Sequence, residues 1–348
     1  MGIPIISLFS GCGGFDIGFE SSGFDVELAL DIDPVAVRTY NNNRGCKVAK
    51  QADLNETTAL EIIGWIEDGG LPAPRGIIGG SPCQTFSYSN VHMNVEDVRH
   101  TLPRKYASIL NVLNQKYNLD FFVFENVLGI TSKKHNETFS EFKGLFQQAG
   151  FCLFEKLLDA VDFDVAQDRP RVFVIGINNK KYPTSIFSFP VGPTKEPVTV
   201  AHKLAGLPTP VFFNRNLTPE AIQAATGHPN HWTMQPKSPK FHNGYLKEGD
   251  NQGRSFRVLS WEKPSWTVAY GHREIHIHPN GTRRLSIYEA LLLQGFEDNY
   301  HLSGTLSDQV RQISDAIPPP VGRALGKAIF QFLIHNTSGY TSNHVVRT

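Results

Sequence analysis

Three short segments carry side chains that could act together on a bound substrate. Gly79-Gly80-Ser81-Pro82-Cys83-Gln84-Thr85-Phe86-Ser87 sets a thiol just past a short apolar run. Ligands bind beyond the carboxyl ends of strands in open α/β sheets, so Cys83 stands where a nucleophile is useful. A lone cysteine is commonly only a small buried hydrophobe. Against that stands Phe121-Phe122-Val123-Phe124-Glu125-Asn126-Val127, a second apolar run that ends in a carboxylate on the same rim. An acid that follows four buried apolar residues is not an ordinary solvated glutamate. The third segment, Gln167-Asp168-Arg169-Pro170-Arg171, brings two guanidiniums near that rim, although a surface ion-pair cluster has the same composition.

A cofactor site is written near the start. Leu8-Phe9-Ser10-Gly11-Cys12-Gly13-Gly14-Phe15-Asp16 ends the first apolar run in a glycine turn, which lets a backbone approach a ligand at a helix N-terminus. Asp31 follows about 20 residues later, at the spacing that suits ribose hydroxyls. Asp53, in Gln51-Ala52-Asp53-Leu54, ends the next expected strand, where it can receive an adenine amino group. The same spacing suits a dinucleotide, but Asp16 occupies the place where G-x-G-x-x-G wants a small residue.

These residues need a sheet to hold them. Ile3 to Phe9, Val26 to Asp31, Ile77 to Gly80, Phe121 to Phe124 and Val172 to Ile177 read as buried strands. Pro34 to Asn41, Tyr106 to Leu113 and Phe139 to Ala149 read as helices between them, which predicts an α/β domain with a mostly parallel sheet over 1–186. From 187 to 280 Pro, Gly, Asn, His and aromatics alternate without periodicity, which predicts a second, smaller, loop-rich domain. Residues 281–348 return to the first domain, with helices at Ser286 to Leu293 and Val321 to Ile334.

Net charge is zero, but residues 181–290 hold 13 Lys and Arg against 7 Asp and Glu, and 7 of the 13 histidines. A basic module joined to an acidic remainder fits a polyanion on one side. The four cysteines form no C-x-x-C pair, which argues against a zinc site or disulfide framework and for a reducing compartment. His272, His276 and His278 have no cysteine or clear fourth ligand beside them, and strand alternation accounts for His276 and His278, so no metal is expected. The chain runs from Met1-Gly2-Ile3-Pro4 straight into an apolar segment, so neither a leader nor a membrane span is expected.

In order, these motifs resemble those of the DNA cytosine-5 methyltransferases of the bacterial modification type. The resemblance spans nearly the whole chain: Phe9 to Gly14, Asp31, Asp53, Pro82-Cys83-Gln84, Glu125-Asn126-Val127, Gln167-x-Arg169-x-Arg171, Arg284-Leu285-Ser286, Gln294-Gly295-Phe296 and Ser314 to Pro318. It implies a Rossmann-like class I S-adenosylmethionine-dependent sheet with a target-recognition domain at 187–280. It also implies Cys83 as the nucleophile toward cytosine carbon 6, Glu125 at the N3 edge, Arg169 at the carbonyl oxygen and Arg171 orienting the site. The cofactor, released as S-adenosylhomocysteine, would lie on Phe9, Ser10, Gly11, Gly13, Gly14, Asp31, Ile32, Asp53, Leu54, Pro82, Asp315 and Ala316. The partner would be double-stranded DNA with its cytosine flipped out, since a stacked base cannot reach such a pocket. Thr85 to Pro103, with Asp97 and Arg99, would be the closing loop, and Ser87 or a neighbour would fill the stack. His228, Asn230, His231, Trp232, Lys237, Lys240, Arg254, Arg257, His272 and Arg273 would supply phosphate and base contacts.

The resemblance further implies a cytoplasmic, nucleoid-associated monomer of a bacterium or archaeon, with room for a cognate restriction endonuclease. One departure is Ser314-Asp315-Ala316, where the family usually carries Gly-Asn before its small residue. Methylation of cytosine in tRNA, a non-catalytic DNA-binding relative and a nicotinamide oxidoreductase are the alternatives; the last leaves the Pro-Cys segment unexplained.

Overall fold

The computed structural model describes residues 2–81, 102–192, 196–253, 255–267 and 276–338. Pro82, Cys83, Gln84, Ser87, Asp97 and Arg99 lie outside the described residues, as do Arg254, His272 and Arg273.

Strands and helices alternate through the first half: β1 (Ile3–Leu8), α1 (Gly14–Glu20), β2 (Phe24–Asp31), α2 (Pro34–Arg44), β3 (Ala49–Gln51), α3 (Ala59–Asp68) and β4 (Gly76–Gly80). There follow α4 (Leu102–Tyr117), β5 (Phe121–Val127), α5 (Asn136–Gln148), β6 (Phe151–Asp159), β7 (Gln167–Asp168) and β8 (Pro170–Asn178). Seven strands form one sheet in the order β3-β2-β1-β4-β5-β8-β6. β1 to β5 pair in parallel, while β8 runs antiparallel to both β5 and β6. The reversal of β8 places its beginning, with Arg171, opposite Val127 at the end of β5.

β5 shows why the sheet is covered twice. Successive side chains of a strand point to opposite faces. Phe122 and Phe124 therefore join the core under α3, α4 and α5, whereas Phe121 and Val123 join that under α1 and α10 (Pro319–Ser338). Each of these four is at most 1% exposed, and each such burial is worth about 1.5–3 kcal/mol. Asp33 caps α2 by accepting from Val35 N at 2.9 Å, with Pro34 at the first helical position, as its sequence suggests.

Among the described residues the stretch 187–280 carries short elements, chiefly α6 (Val200–Leu204), β9 (Val211–Phe212), α7 (Pro219–Thr226), β10 (Trp232–Thr233) and β11 (Ser265–Trp266). β11 pairs with β7, which ties this stretch to the strand that leads into Arg169 and Arg171. α8 (Ile287–Leu293) and α9 (Leu306–Asp315) then lead to α10, which packs on α1. Among the described residues no helix is long and apolar enough to cross a membrane.

Candidate active site

The carboxyl ends of β1, β2, β4 and β5 share one rim, and the functional residues collect there. After β1 the chain turns through Phe9 at φ 56°, Gly11 at φ 53° and Gly13 at φ 90°, left-handed conformations that suit glycine. Gly11 N donates to Asp31 Oδ2 at 2.8 Å, and Asp33 N to Asp31 Oδ1 at 2.8 Å, so two backbone groups orient the Asp31 carboxylate. The Ile32 side chain beside it is 57% exposed. Ser10 is buried and its hydroxyl has no hydrogen-bond partner among the described residues. An open apolar side chain next to an anchored carboxylate, above a turn of backbone amides, suits a nucleoside-like ligand.

Two tyrosines missed in the sequence support this turn. Asp16 accepts from Ser7 Oγ and from Tyr40 Oη, each at 2.8 Å, and Tyr40 packs so close that a side chain at Gly13 would meet its ring at 2.8 Å. Asp16 therefore breaks the dinucleotide pattern because it anchors Tyr40. The Tyr300 hydroxyl donates to the Cys12 carbonyl from the other side. The only signal for either was a carboxylate inside Gly14-Phe15-Asp16-Ile17-Gly18, where solvent has no place.

Glu125, two residues before the end of β5, is 8% exposed, and Arg171 Nε lies 3.0 Å from its Oε1. Burial raises the Glu125 carboxyl above its ordinary value, while Arg171 and then Arg169 pull it back. Gly80 on β4 leaves room for the carboxylate: a side chain there would meet Glu125 Oε2 at 2.5 Å. In sequence β4 is followed by Ser81, Pro82 and Cys83. Asn126 Nδ2 donates to the Ser81 carbonyl at 3.3 Å, so β5 holds the last described residue before the Cys83 segment.

Several expected contacts fall elsewhere. Arg169, expected at a substrate carbonyl, is 2% exposed and donates from Nη2 to the Ser314 carbonyl at 2.7 Å, inside the wall rather than on it. Leu54 and Ala316 are buried with their side chains in the core, so neither side chain lines the cleft. Gly14 is buried against the Ile317 carbonyl, and packing of the chain's end explains its lack of a side chain. Asp53 is half-buried and Asp315 exposed, both on segments that border the glycine turn or Asp31.

The expected DNA contacts separate in the same way. Lys237 is exposed; Lys240 is half-buried, with Nζ 3.2 Å from Gln252 Oε1 and over the Phe256 ring; Arg257 is half-buried beside the Trp266 ring. His231 is 0% exposed, its Nδ1 2.7 Å from Ser286 Oγ and its Nε2 2.7 Å from the Pro208 carbonyl, so it is an internal brace and not a DNA contact. His228, Asn230 and Trp232 are likewise buried; Asn230 clamps Leu302 through both its carbonyl and amide.

His276 has a structural role too. Its Nε2 lies 3.1–3.2 Å from the Thr267 and Trp266 carbonyls, and burial lowers its pKa from 6.5 to about 4. The unfolded chain therefore binds a proton at this residue between pH 6.5 and 4 that the folded chain rejects. Its stabilising share is full above pH 6.5 and is lost as pH falls through about 4. His276→Gln keeps a donor and removes the titration, so it should gain about 2 kcal/mol over the parent chain between pH 7.5 and pH 5. Urea unfolding of both proteins at the two pH values measures this; a difference independent of pH would contradict it.

The family model for C-5 cytosine-specific DNA methylases matches residues 3–331. The type II methyltransferase M.FnuDI of Fusobacterium nucleatum is 31% identical over 355 residues, covering 95% of each chain. M.MthTI of Methanothermobacter thermautotrophicus is 29% identical over 355 residues, covering 94% of this chain and 97% of its own. A crystal structure of a putative DNA modification methyltransferase encoded within an E. coli prophage superposes with a TM-score of 0.76 at 25% identity, over 95% of this chain and 99% of that one. The S. pombe Dnmt2 methyltransferase shares the fold, with a TM-score of 0.63 at 19% identity over 95% and 99%. With the glycine turn, Asp31 and Glu125 on one rim, this chain belongs to the C-5 cytosine-specific DNA methylase family and uses S-adenosylmethionine to methylate cytosine in DNA at carbon 5.

Proposed function

We propose that the reaction proceeds through a covalent bond between Cys83 and carbon 6 of a flipped-out cytosine, with Glu125 and Arg171 as the groups that meet the base. The observation that carries this is the buried Glu125 carboxyl paired with Arg171 at 3.0 Å, on the strand beside the one that leads to Cys83. Cytosine carbon 5 is too electron-poor to attack a methyl donor until a thiolate adds at carbon 6. Glu125, its carboxyl raised by burial, holds the N3 edge and delivers a proton there as the adduct forms. Arg171, rather than Arg169, meets the carbonyl oxygen, because it stands at Glu125 on the open side. Arg169 positions the wall through Ser314. S-adenosylmethionine supplies the methyl group as an electrophile on a sulfonium. The residues fit it: Asp31 is set for the ribose, Ile32 for the adenine face, and the Ser10 hydroxyl is buried without a partner. After transfer a base removes the carbon 5 proton, and Cys83 leaves as the thiolate.

Residues 1–186 with 281–348 form the catalytic body and 187–280 the target-recognition domain, with Lys237, Lys240, Arg254, Arg257, His272 and Arg273 toward DNA. Ser87 and Arg99 belong to the closing loop over the flipped base. The type II names of the relatives support a modification enzyme whose cognate partner is a restriction endonuclease of the same site. It works as a monomer at the nucleoid in the cytoplasm. DNA carrying 5-fluorocytosine at the target site, given with S-adenosylmethionine, should become permanently bound to the parent chain and not to Cys83→Ser. Trapping by Cys83→Ser, or none by the parent chain, would refute the assignment; labelled methyl found only in tRNA would move the substrate to RNA.

A further inference from the structure

The segment 312–317 is pressed against the glycine turn. Cys12 Sγ lies 3.7 Å from the Gln312 carbonyl, and any side chain at Gly14 would strike the Ile317 carbonyl. Between these anchors, Ser314 and Ala316 are 1% and 7% exposed while Asp315 is exposed. Among the described residues its carboxylate accepts no hydrogen bond, although it lies within electrostatic range of Asp31, Asp33, Arg169 and Arg311. Both cations are engaged elsewhere: Arg311 with Asp33 at 2.6 Å and Asp308 at 3.2 Å, and Arg169 with the Ser314 carbonyl. The glycine turn therefore lies between the end of β2, where Asp31 accepts from Gly11 N, and the end of α9, which touches Cys12 at Gln312 and ends at Asp315.

A methyl donor with a sulfonium brings a fixed positive charge into this cleft, and the product after transfer does not. The amino acid and adenosine parts are common to both, so only the charge on sulfur distinguishes them electrostatically. We propose that Asp315 is the residue by which this enzyme prefers S-adenosylmethionine over S-adenosylhomocysteine, its carboxylate joining that of Asp31 to favour the cation. The consequence is easier product exchange, because the charge that recruits the donor no longer holds what is left of it. The inference deepens the methyltransferase reading and rests on it. Although Asp315 is open to solvent, the density of protein around its carboxyl pushes it up to about 6, against Arg169 and with the help of Asp31, so the carboxylate is present above that pH and lost below it.

Calorimetric binding of S-adenosylmethionine and S-adenosylhomocysteine to the full chain and to Asp315→Asn, at pH 8 and pH 5, tests this without any turnover. The preference for the donor, the dissociation constant of S-adenosylhomocysteine divided by that of S-adenosylmethionine, should fall by about tenfold in Asp315→Asn at pH 8, the effect of one charge at partly screened range. In the parent chain the ratio should shrink between pH 8 and pH 5, and in Asp315→Asn most of that change should vanish. A ratio unchanged both by the substitution and by pH overturns the inference while leaving the methyltransferase reading intact. A parent chain that binds neither compound overturns both.

Discussion

Glu125→Gln should lower kcat by about a hundred- to a thousandfold while leaving the affinity for S-adenosylmethionine within a few-fold. The substitution keeps the size of the side chain and an acceptor for Arg171, but it cannot deliver a proton to N3 as carbon 6 takes the thiolate. The carboxyl sits near the end of β5 at 8% exposure, in a recess that Gly80 leaves open, so the amide has room and the fold should persist. Single-turnover methylation of saturating DNA, with cofactor binding measured by calorimetry, separates the chemical step from binding. A variant with parental single-turnover rates would remove Glu125 from the mechanism.

The largest expected stability effect lies away from the chemistry. Arg283 and Glu289 form a two-pronged pair at 2.7 and 2.8 Å, with side chains 9% and 1% exposed, and Glu289 also accepts from Ser286 N at 2.7 Å. Burial alone would raise the Glu289 carboxyl, yet the Arg283 hydrogen bonds and charge hold it below its ordinary value. Arg283→Ala leaves that carboxylate buried beside the start of α8, and should cost about 3–5 kcal/mol. Urea unfolding gives the number; a loss under about 1 kcal/mol would mean that water reaches the carboxylate. The same α8 cap holds Ser286 against His231, so the damage should spread into the stretch that packs on it.

How much of this was visible in the residues follows from burial. β1, β2, β4, β5 and β8 are runs of apolar residues covered on both faces, and such runs announce themselves. β6 was missed because it is an edge strand with Cys152, Glu155, Lys156 and Leu157 exposed, and so has no unbroken apolar run. The direction of β8 was not legible either, since an apolar run carries no sign of which way its partner points. That reversal, with the short β7 before it, determines that Arg171 meets Glu125 while Arg169 sinks behind, an order that two arginines separated by one proline cannot reveal. The stretch 187–280 has no period to read, so the donor groups of His231 looked the same as those of exposed Lys237 until the fold turned one inward.

The pairing of β7 with β11 limits how the specificity of this enzyme can be exchanged. Ser265 donates from both its amide and its hydroxyl to Ala166, and Thr267 Oγ1 to the Asp168 carbonyl, immediately before the two arginines. A chimaera whose graft carries a foreign 265–267 would replace the stitching of the catalytic strand along with the surface proposed to read DNA. Junctions that keep these three residues native leave the strand fastened to its own backing, so the transplantable portion is shorter than the irregular stretch itself.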